Sequence, residues 1–321
     1  MTQKNDWRPT ATPETLKARA ELFARIRGFF AERNVLEVDT PILSSGATVD
    51  RHIDSFEVPG AGWLHTSPEF AMKRLLATEC GPIYQLSHVF RAEPQGRLHN
   101  PEFMMLEWYR PGWSHHRLMD EVEELLRALG IGAAAFERDT YTKVFERETG
   151  IDPLTASLTA LKSGLVKRRL SLPDAMSTQD DADRDFWLDL WMGAVVGPRL
   201  GEKVPAFIHE YPASQAALAR VLPRDPPVAA RFELFWKGIE LANGFDELTD
   251  AAEQRRRFES DLAWRKEHGK TVPPHDERLL AALEAGMPGG AGVALGIDRL
   301  LMLKLGLATI GQAMPFPADR A

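Results

Sequence analysis

Arg91 and Arg299 declare a chemistry more clearly than any other residues of this chain. Arg91 ends an apolar run. It is followed by a loop holding Arg97 and His99 and by a return run with Phe103, Glu107 and Tyr109, all within the stretch VFRAEPQGRLHNPEFMMLEWYR from Val89 to Arg110. A planar cation at the base of such a hairpin suits the oxygens of a triphosphate. Arg299 lies near the end of a second stretch, GVALGIDRL from Gly292 to Leu300, whose glycines let a backbone approach a ligand without Cβ clashes. Between them, in RFELFWKGIELANGFDE, Glu233, Glu240 and Glu247 recur every seven residues. Carboxylates are hard ligands suited to magnesium held against phosphates. These are the parts needed to activate a carboxylate with ATP, a reaction that runs mostly on positioning and electrostatics. In that reading Arg91 and Arg299 are the catalytic cations, and Glu233 and Glu240 hold the metal. Phe103 gives adenine an aromatic face and Glu93 accepts from its amino group. Taken singly, each has a plain alternative as a surface arginine, a core aromatic, a solvated glutamate or a turn glycine. The pairing of the two arginine motifs favours the chemistry.

The elements that must position these residues follow from periodicity and punctuation. Pro13 opens a helix with Leu16, Phe23, Ile26 and Phe30 at helical spacing. Phe29–Ile42 reads as a helix end, a turn and a strand over Val35–Ile42 that contains Pro41. Phe56–Val58 and Trp63–Thr66 read as short strands, Phe70–Leu76 as a helix, and Ile83–Arg91 with Phe103–Tyr109 as the two arms of the hairpin. Arg117–Leu129 is an amphipathic helix with its acidic residues outward. Residues 140–225, with a charged run at Gln179–Asp185 and a strand at Ala206–His209, read as an insertion. Phe232–Leu241 reads as one strand ended by a turn at Asn243-Gly244; a seven-residue offset on one strand then needs a bulge or twist to bring Glu233 and Glu240 to one face. Gln254–Glu267 is a polar helix, and Leu300–Leu305 closes the second motif. Antiparallel strands mixed with helices predict an α+β fold.

A chain of 321 residues, 44% hydrophobic, can form one large core. Its net charge of -7 is opposite to that of a dedicated nucleic-acid binder. The single cysteine, Cys80, cannot form an internal disulfide and reads as a small buried residue before a turn. With no secretory leader and no apolar run of membrane-spanning length, the expected location is the cytoplasm.

The two arginine stretches resemble motifs 2 and 3 of the class II aminoacyl-tRNA synthetases, and Phe29–Ile42 resembles motif 1. The segment GIELANGFDELTDAAEQ is similar to the lysyl branch, and the resemblance runs from about residue 14 to residue 321. It implies an antiparallel sheet flanked by helices, ATP as substrate with Mg2+, and a homodimer with Pro41 at its interface. It implies that Glu233 and Glu240 bind magnesium with ATP, that Glu247 and Tyr109 meet the ε-ammonium of lysine, and that Glu69 meets the α-amino side. Ser67, Pro68 and Ala294 complete the amino-acid site by the same carry-over. Arg91, Ala92, Glu93, Asn100, Phe103, Glu240, Leu241, Gly296 and Arg299 make up the ATP site.

Two departures are informative. Residues 1–12 read as a tail and 13–321 as the catalytic domain, so with motif 1 ending about 40 residues from Met1 there is no room for a five-stranded OB barrel and no anticodon-binding domain is expected. Ala294 stands where lysyl-tRNA synthetases have a glycine, and its methyl group is expected to reshape the amino-acid pocket. Together with TSPE, RAE, HNPEF, MLEWYRP and YPASQ, these departures point to the protein-modifying paralogues of lysyl-tRNA synthetase. That resemblance implies (R)-β-lysine or lysine as substrate, elongation factor P as acceptor, no membrane and no tRNA anticodon recognition. Two readings stay beside it: a truncated lysyl-tRNA synthetase-like enzyme gripping an acceptor stem through Lys167-Arg168-Arg169, and a non-catalytic amino-acid-sensing pseudo-synthetase.

Overall fold

The three motifs meet in one nine-stranded sheet. The computed structural model describes residues 7–168 and 182–321, so Arg169, the start of the Gln179–Asp185 run and the first six residues lie outside it. In chain order the strands are β1 (Leu36–Glu37), β2 (Leu43–Ser44), β3 (Glu57–Val58), β4 (Gly62–Leu64), β5 (Ile83–Phe90), β6 (Glu102–Pro111), β7 (Glu137–Thr140), β8 (Ala206–Pro212), β9 (Val221–Leu222), β10 (Val228–Trp236), β11 (Ile239–Asp246) and β12 (Gly290–Gly296). The large sheet runs β1-β5-β6-β12-β11-β10-β8-β7, with β9 on β10. Its inner pairings are antiparallel; β1 on β5 and β7 on β8 are parallel. β2, β4 and β3 form a separate small sheet. This is the α+β arrangement that the mixture of strands and helices predicts. Among the described residues, no helix is long and apolar enough to cross a membrane.

The described α-helices are α1 (Pro13–Ala31), α2 (Glu69–Leu76), α3 (His115–Ala128), α4 (Tyr141–Thr149), α5 (Leu158–Lys167), α6 (Arg184–Trp191), α7 (Ala251–Glu267), α8 (Glu277–Glu284) and α9 (Ile297–Leu305). The side chain of Thr12 caps α1 by accepting from the Thr15 N–H, and Pro13 occupies the first turn, where a missing N–H does no harm. The buried stripe of α1 is Leu22, Ile26, Phe29 and Phe30; Leu16 is only half-buried. Phe30 stacks on Tyr84 at 4.4 Å and meets the edge of Trp108 at 5.4 Å, which fixes α1 and α3 to one face of the sheet. A second apolar cluster joins α4, α5 and α6 to β8, and a third joins α2, α7 and α8 to Ile83 and Tyr109.

Several expectations change. The strand expected over Val35–Ile42 shrinks to Leu36–Glu37, because the N–H groups of Leu36 and Val38 reach backbone carbonyls on the β5 side while that of Thr40 goes to the Gln85 side chain. The acidic residues of α3 do not all face water: Glu121 is buried, accepting from Arg110 and, at 3.0 Å, from Trp108 Nε1. Cys80 is partly exposed. The single strand expected over Phe232–Leu241 is a hairpin, so Glu233 and Glu240 stand on neighbouring strands, β10 and β11. Its turn is Lys237-Gly238, both left-handed at φ 52 and 74. Asn243-Gly244 lies inside β11 instead. Gly244 is there for packing, since a Cβ would lie 2.4 Å from the ring of Phe232.

Candidate active site

Alternation along β6 divides its residues between two buried faces. Met104, Leu106 and Trp108 enter the core beneath α1 and α3, while Phe103, Met105, Glu107 and Tyr109 face a cavity of about 620 Å³. The register then lays two rows of side chains across the sheet. One runs Glu107, Ala294, Asn243, Glu233; the other runs Tyr109, Gly292, Phe245, Arg231. Between β10 and β11 the register slips, so that Leu234 faces Ala242 while Phe235 faces Glu240. This bulge brings Glu240 into the same cavity as Glu233, by a route across two strands and not along one.

At one end of the cavity stand the arginines. Arg299 donates from Nε to the Leu98 carbonyl at 3.2 Å and from Nη1 to the Glu240 carbonyl at 3.1 Å, and its Nη2 lies 2.9 Å from His99 Nε2. The Arg91 guanidinium lies 5.2 Å from the centre of the Phe103 ring, and its buried Nε has no protein partner. Arg231, which the sequence reading passes over, donates to Glu233, to the Gln215 carbonyl at 2.8 Å and to Asn243 Oδ1 at 3.2 Å. Behind these, buried Asp298 accepts from Arg19 of α1 and, at 2.6 Å, from the Met104 N–H of β6. One carboxylate thus ties α1 to motifs 2 and 3 and sets the residue next to Arg299.

At the other end is a knot of charge. Lys73 on α2 is buried, with its Nζ 2.7 Å from Glu69 Oε1 and 2.6 Å from Glu247 Oε2. Glu107 accepts from Ser67 Oγ and from the Tyr109 hydroxyl, each at 2.6 Å. Gly292 makes room for this knot: a Cβ there would fall 2.2 Å from the Tyr109 ring and 2.5 Å from Glu247 Oε1. At this end of the cavity Glu107 and Lys73 carry roles that the sequence motifs do not assign them. For Glu107 a signal existed, because a period of two puts it on the face shared by Phe103 and Tyr109. For Lys73 the signal was one helical turn beyond Glu69.

Not every expected residue projects into the cavity. Ser67, Glu69, Arg91, Glu93, Asn100, Phe103, Tyr109, Glu233, Glu240, Leu241, Glu247, Ala294, Gly296 and Arg299 line it; Pro68 and Ala92 do not. Pro68 stands just before the first residue of α2, and the Ala92 N–H is taken by the Asp54 carbonyl at 2.8 Å. The amide of Asn100 donates to the Glu102 carbonyl at 2.6 Å and accepts from the Ala318 N–H at 2.9 Å, which braces the hairpin loop.

Burial and like charge raise several of these carboxyls. Burial and then Glu69 push Glu107 up to about 8. Burial and then Glu233 push Glu240 up to about 7, against the pull of Arg299, Arg231 and Arg91. Burial also pushes Glu247 up to about 7, although Lys73 lowers it. A carboxyl raised in the folded state binds more protons there than in the unfolded chain, so stability falls as pH rises toward the folded value. The unliganded protein is therefore expected to lose stability between pH 6.5 and 8, on the order of 1 kcal/mol per pH unit. Thermal unfolding across that window checks this; a midpoint that climbs with pH would contradict it.

The sequence matches the profile of the family described as tRNA synthetases class II (D, K and N) over residues 3–320. It is 51% identical to an elongation factor P--(R)-beta-lysine ligase of Vibrio vulnificus (strain YJ016), over 97% of this chain and 98% of that protein. It is also 51% identical to the protein of the same description in Vibrio cholerae serotype O1, over 99% of each chain.

Proposed function

Because the chain belongs to the class II tRNA synthetases (D, K and N), we propose that it activates (R)-β-lysine or lysine with ATP and transfers the acyl group to a lysine ε-amino group of elongation factor P. The observation that carries this reading is the acidic excess of the knot: Glu69, Glu107 and Glu247 face one cation, Lys73, and Glu107 and Glu247, held at about 8 and 7, ionise fully once a further cation arrives. Buried carboxylates need cationic partners. A substrate with two ammonium groups supplies them and leaves its carboxylate toward the arginines. An acidic or apolar amino acid would leave the excess charge unanswered.

In the first step a substrate carboxylate oxygen attacks the α-phosphorus of ATP, and pyrophosphate departs with the bonding electrons. Arg91 and Arg299 offset charge on the phosphates as it develops. Phe103 stacks on adenine, and Glu93 accepts from its amino group. Glu233 and Glu240 fit Mg2+, since two like-charged carboxylates share one face and Glu240 is held above its ordinary range in part by Glu233. Bound there, the ion would neutralise phosphate charge. In the second step the neutral ε-amine of the acceptor attacks the acyl carbon, loses its proton, and AMP leaves. Such an enzyme works in the cytoplasm beside the translation machinery. The exposed apolar residues Leu36, Ile42, Leu43 and Phe56 support a homodimer through the motif 1 region.

Two measurements test the reading. With labelled (R)-β-lysine, ATP and either acceptor at one salt concentration, label is expected on elongation factor P and little on tRNA; efficient tRNA charging without protein labelling would restore a tRNA ligase. Ala294 sits in the row between Glu107 and Asn243, where its methyl group decides how close a substrate amine comes. Ala294→Gly is expected to raise kcat/KM for lysine relative to (R)-β-lysine roughly tenfold or more. An unchanged ratio would count against that role.

A further inference from the structure

Beyond the adenylation site, α3 and β8 bring together His116, His209 and Glu210, whose ligand atoms all lie within 4.8 Å of one another. Three local facts set this group apart from a casual cluster. First, His209 is mostly buried, and its Nδ1 is enclosed without any hydrogen-bond partner. Second, Glu210 has φ 62, a left-handed conformation that a non-glycine residue adopts only under constraint. It occurs where the pairing of β8 with β10 slips between Ala229 and Phe232. On a regular strand Glu210 and His209 would point to opposite faces, so the irregularity brings the carboxylate round to the imidazole. Third, Arg224 takes only Oε2 of Glu210, at 2.5 Å, leaving Oε1 3.8 Å from His209 Nδ1. That gap is too long for a hydrogen bond. Two ligand atoms bound to one tetrahedral zinc ion stand about 3.4 Å apart, so a small side-chain rotation closes it.

We propose that His116, His209 and Glu210 bind one zinc ion, which braces the start of α3 against β8. Two imidazoles and a carboxylate are a set that zinc accepts, with water in the fourth place. The other charged groups around the site are Arg224, Arg138 and, past His115, the Asp246–Arg220 pair. His115 Nδ1 lies 3.9 Å from Asp246 Oδ2, so the site adjoins the residue before Glu247 without entering the adenylation cavity.

The test is zinc chloride titrated into chelator-treated full-length protein by calorimetry, with cobalt chloride as a spectroscopic probe. One equivalent is expected to bind, to raise the thermal unfolding midpoint, and to give the intense visible absorption of tetrahedral cobalt. His209→Ala is expected to weaken binding at least a hundredfold. His116→Ala, at an exposed position that folding tolerates, should weaken it at least tenfold, as should Glu210→Gln, which keeps a hydrogen bond to Arg224. ATP–pyrophosphate exchange should survive in His116→Ala. Absence of stoichiometric binding to the wild-type protein, or binding unchanged in both His116→Ala and Glu210→Gln, would overturn the proposal.

Discussion

Arg299→Ala is expected to slow lysine-dependent ATP–pyrophosphate exchange by about 10²–10³, the loss that follows removal of one positioned donor to a charged transition state. The expectation rests on how completely the side chain is fixed. Two backbone carbonyls, of Leu98 and Glu240, and the ring of His99 hold the guanidinium, while Asp298 beside it is anchored to α1 and β6. A cation so constrained needs no reorganisation when charge moves toward pyrophosphate. Arg299→Lys should recover little, because an ammonium cannot reproduce a planar fork. Far-ultraviolet circular dichroism should show the fold intact. Exchange within a few-fold of wild type in Arg299→Ala would remove Arg299 from the chemistry.

Lys73→Met should produce the largest stability change of any single substitution near the site. The variant leaves buried Glu107 and Glu247 close to half-buried Glu69, without the cation that bridges Glu69 and Glu247. Breaking a buried ion pair from one side costs about 3–5 kcal/mol, since the surviving charge keeps its desolvation penalty. Urea unfolding at pH 8 measures the loss. Acidification to pH 6 should return part of it, because the stranded carboxyls can then hold protons. Adding Glu247→Gln should return part of it as well. A single variant as stable as wild type at pH 8 would show that the knot is not electrostatically balanced in this way.

The sequence made the motifs legible because each depends on local pattern. An apolar strand with arginine at its end, a glycine-spaced strand and a proline-led helix all reappear as β5, β12 and α1. What stayed hidden depends on pairing. Asn243-Gly244 has the composition of a turn, yet its glycine serves the ring of Phe232 from across the sheet. Lys237-Gly238, the true turn, turned one expected strand into two and placed Glu233 and Glu240 on different strands. Lys73 looks like a surface helix residue until Glu247 arrives from far along the chain to bury it. Glu121 likewise looked solvated and is held inside by Arg110 and Trp108.

The position of β12 in the sheet has a consequence for biosynthesis. β12 lies between β6 and β11, pairing with residues made roughly 180 and 50 positions earlier. Until Gly290–Gly296 leaves the ribosome, β6 and β11 each present an open edge, and the Tyr109 and Glu247 side chains lack the glycine strand that separates them. A nascent chain stalled before that point carries two adhesive edges and no pocket. It can neither consume ATP nor bind the amino acid, so no ligand is available to steady it. The enzyme's most vulnerable interval is therefore the one between synthesis of β11 and synthesis of β12, when chaperones have two unpaired strands to protect.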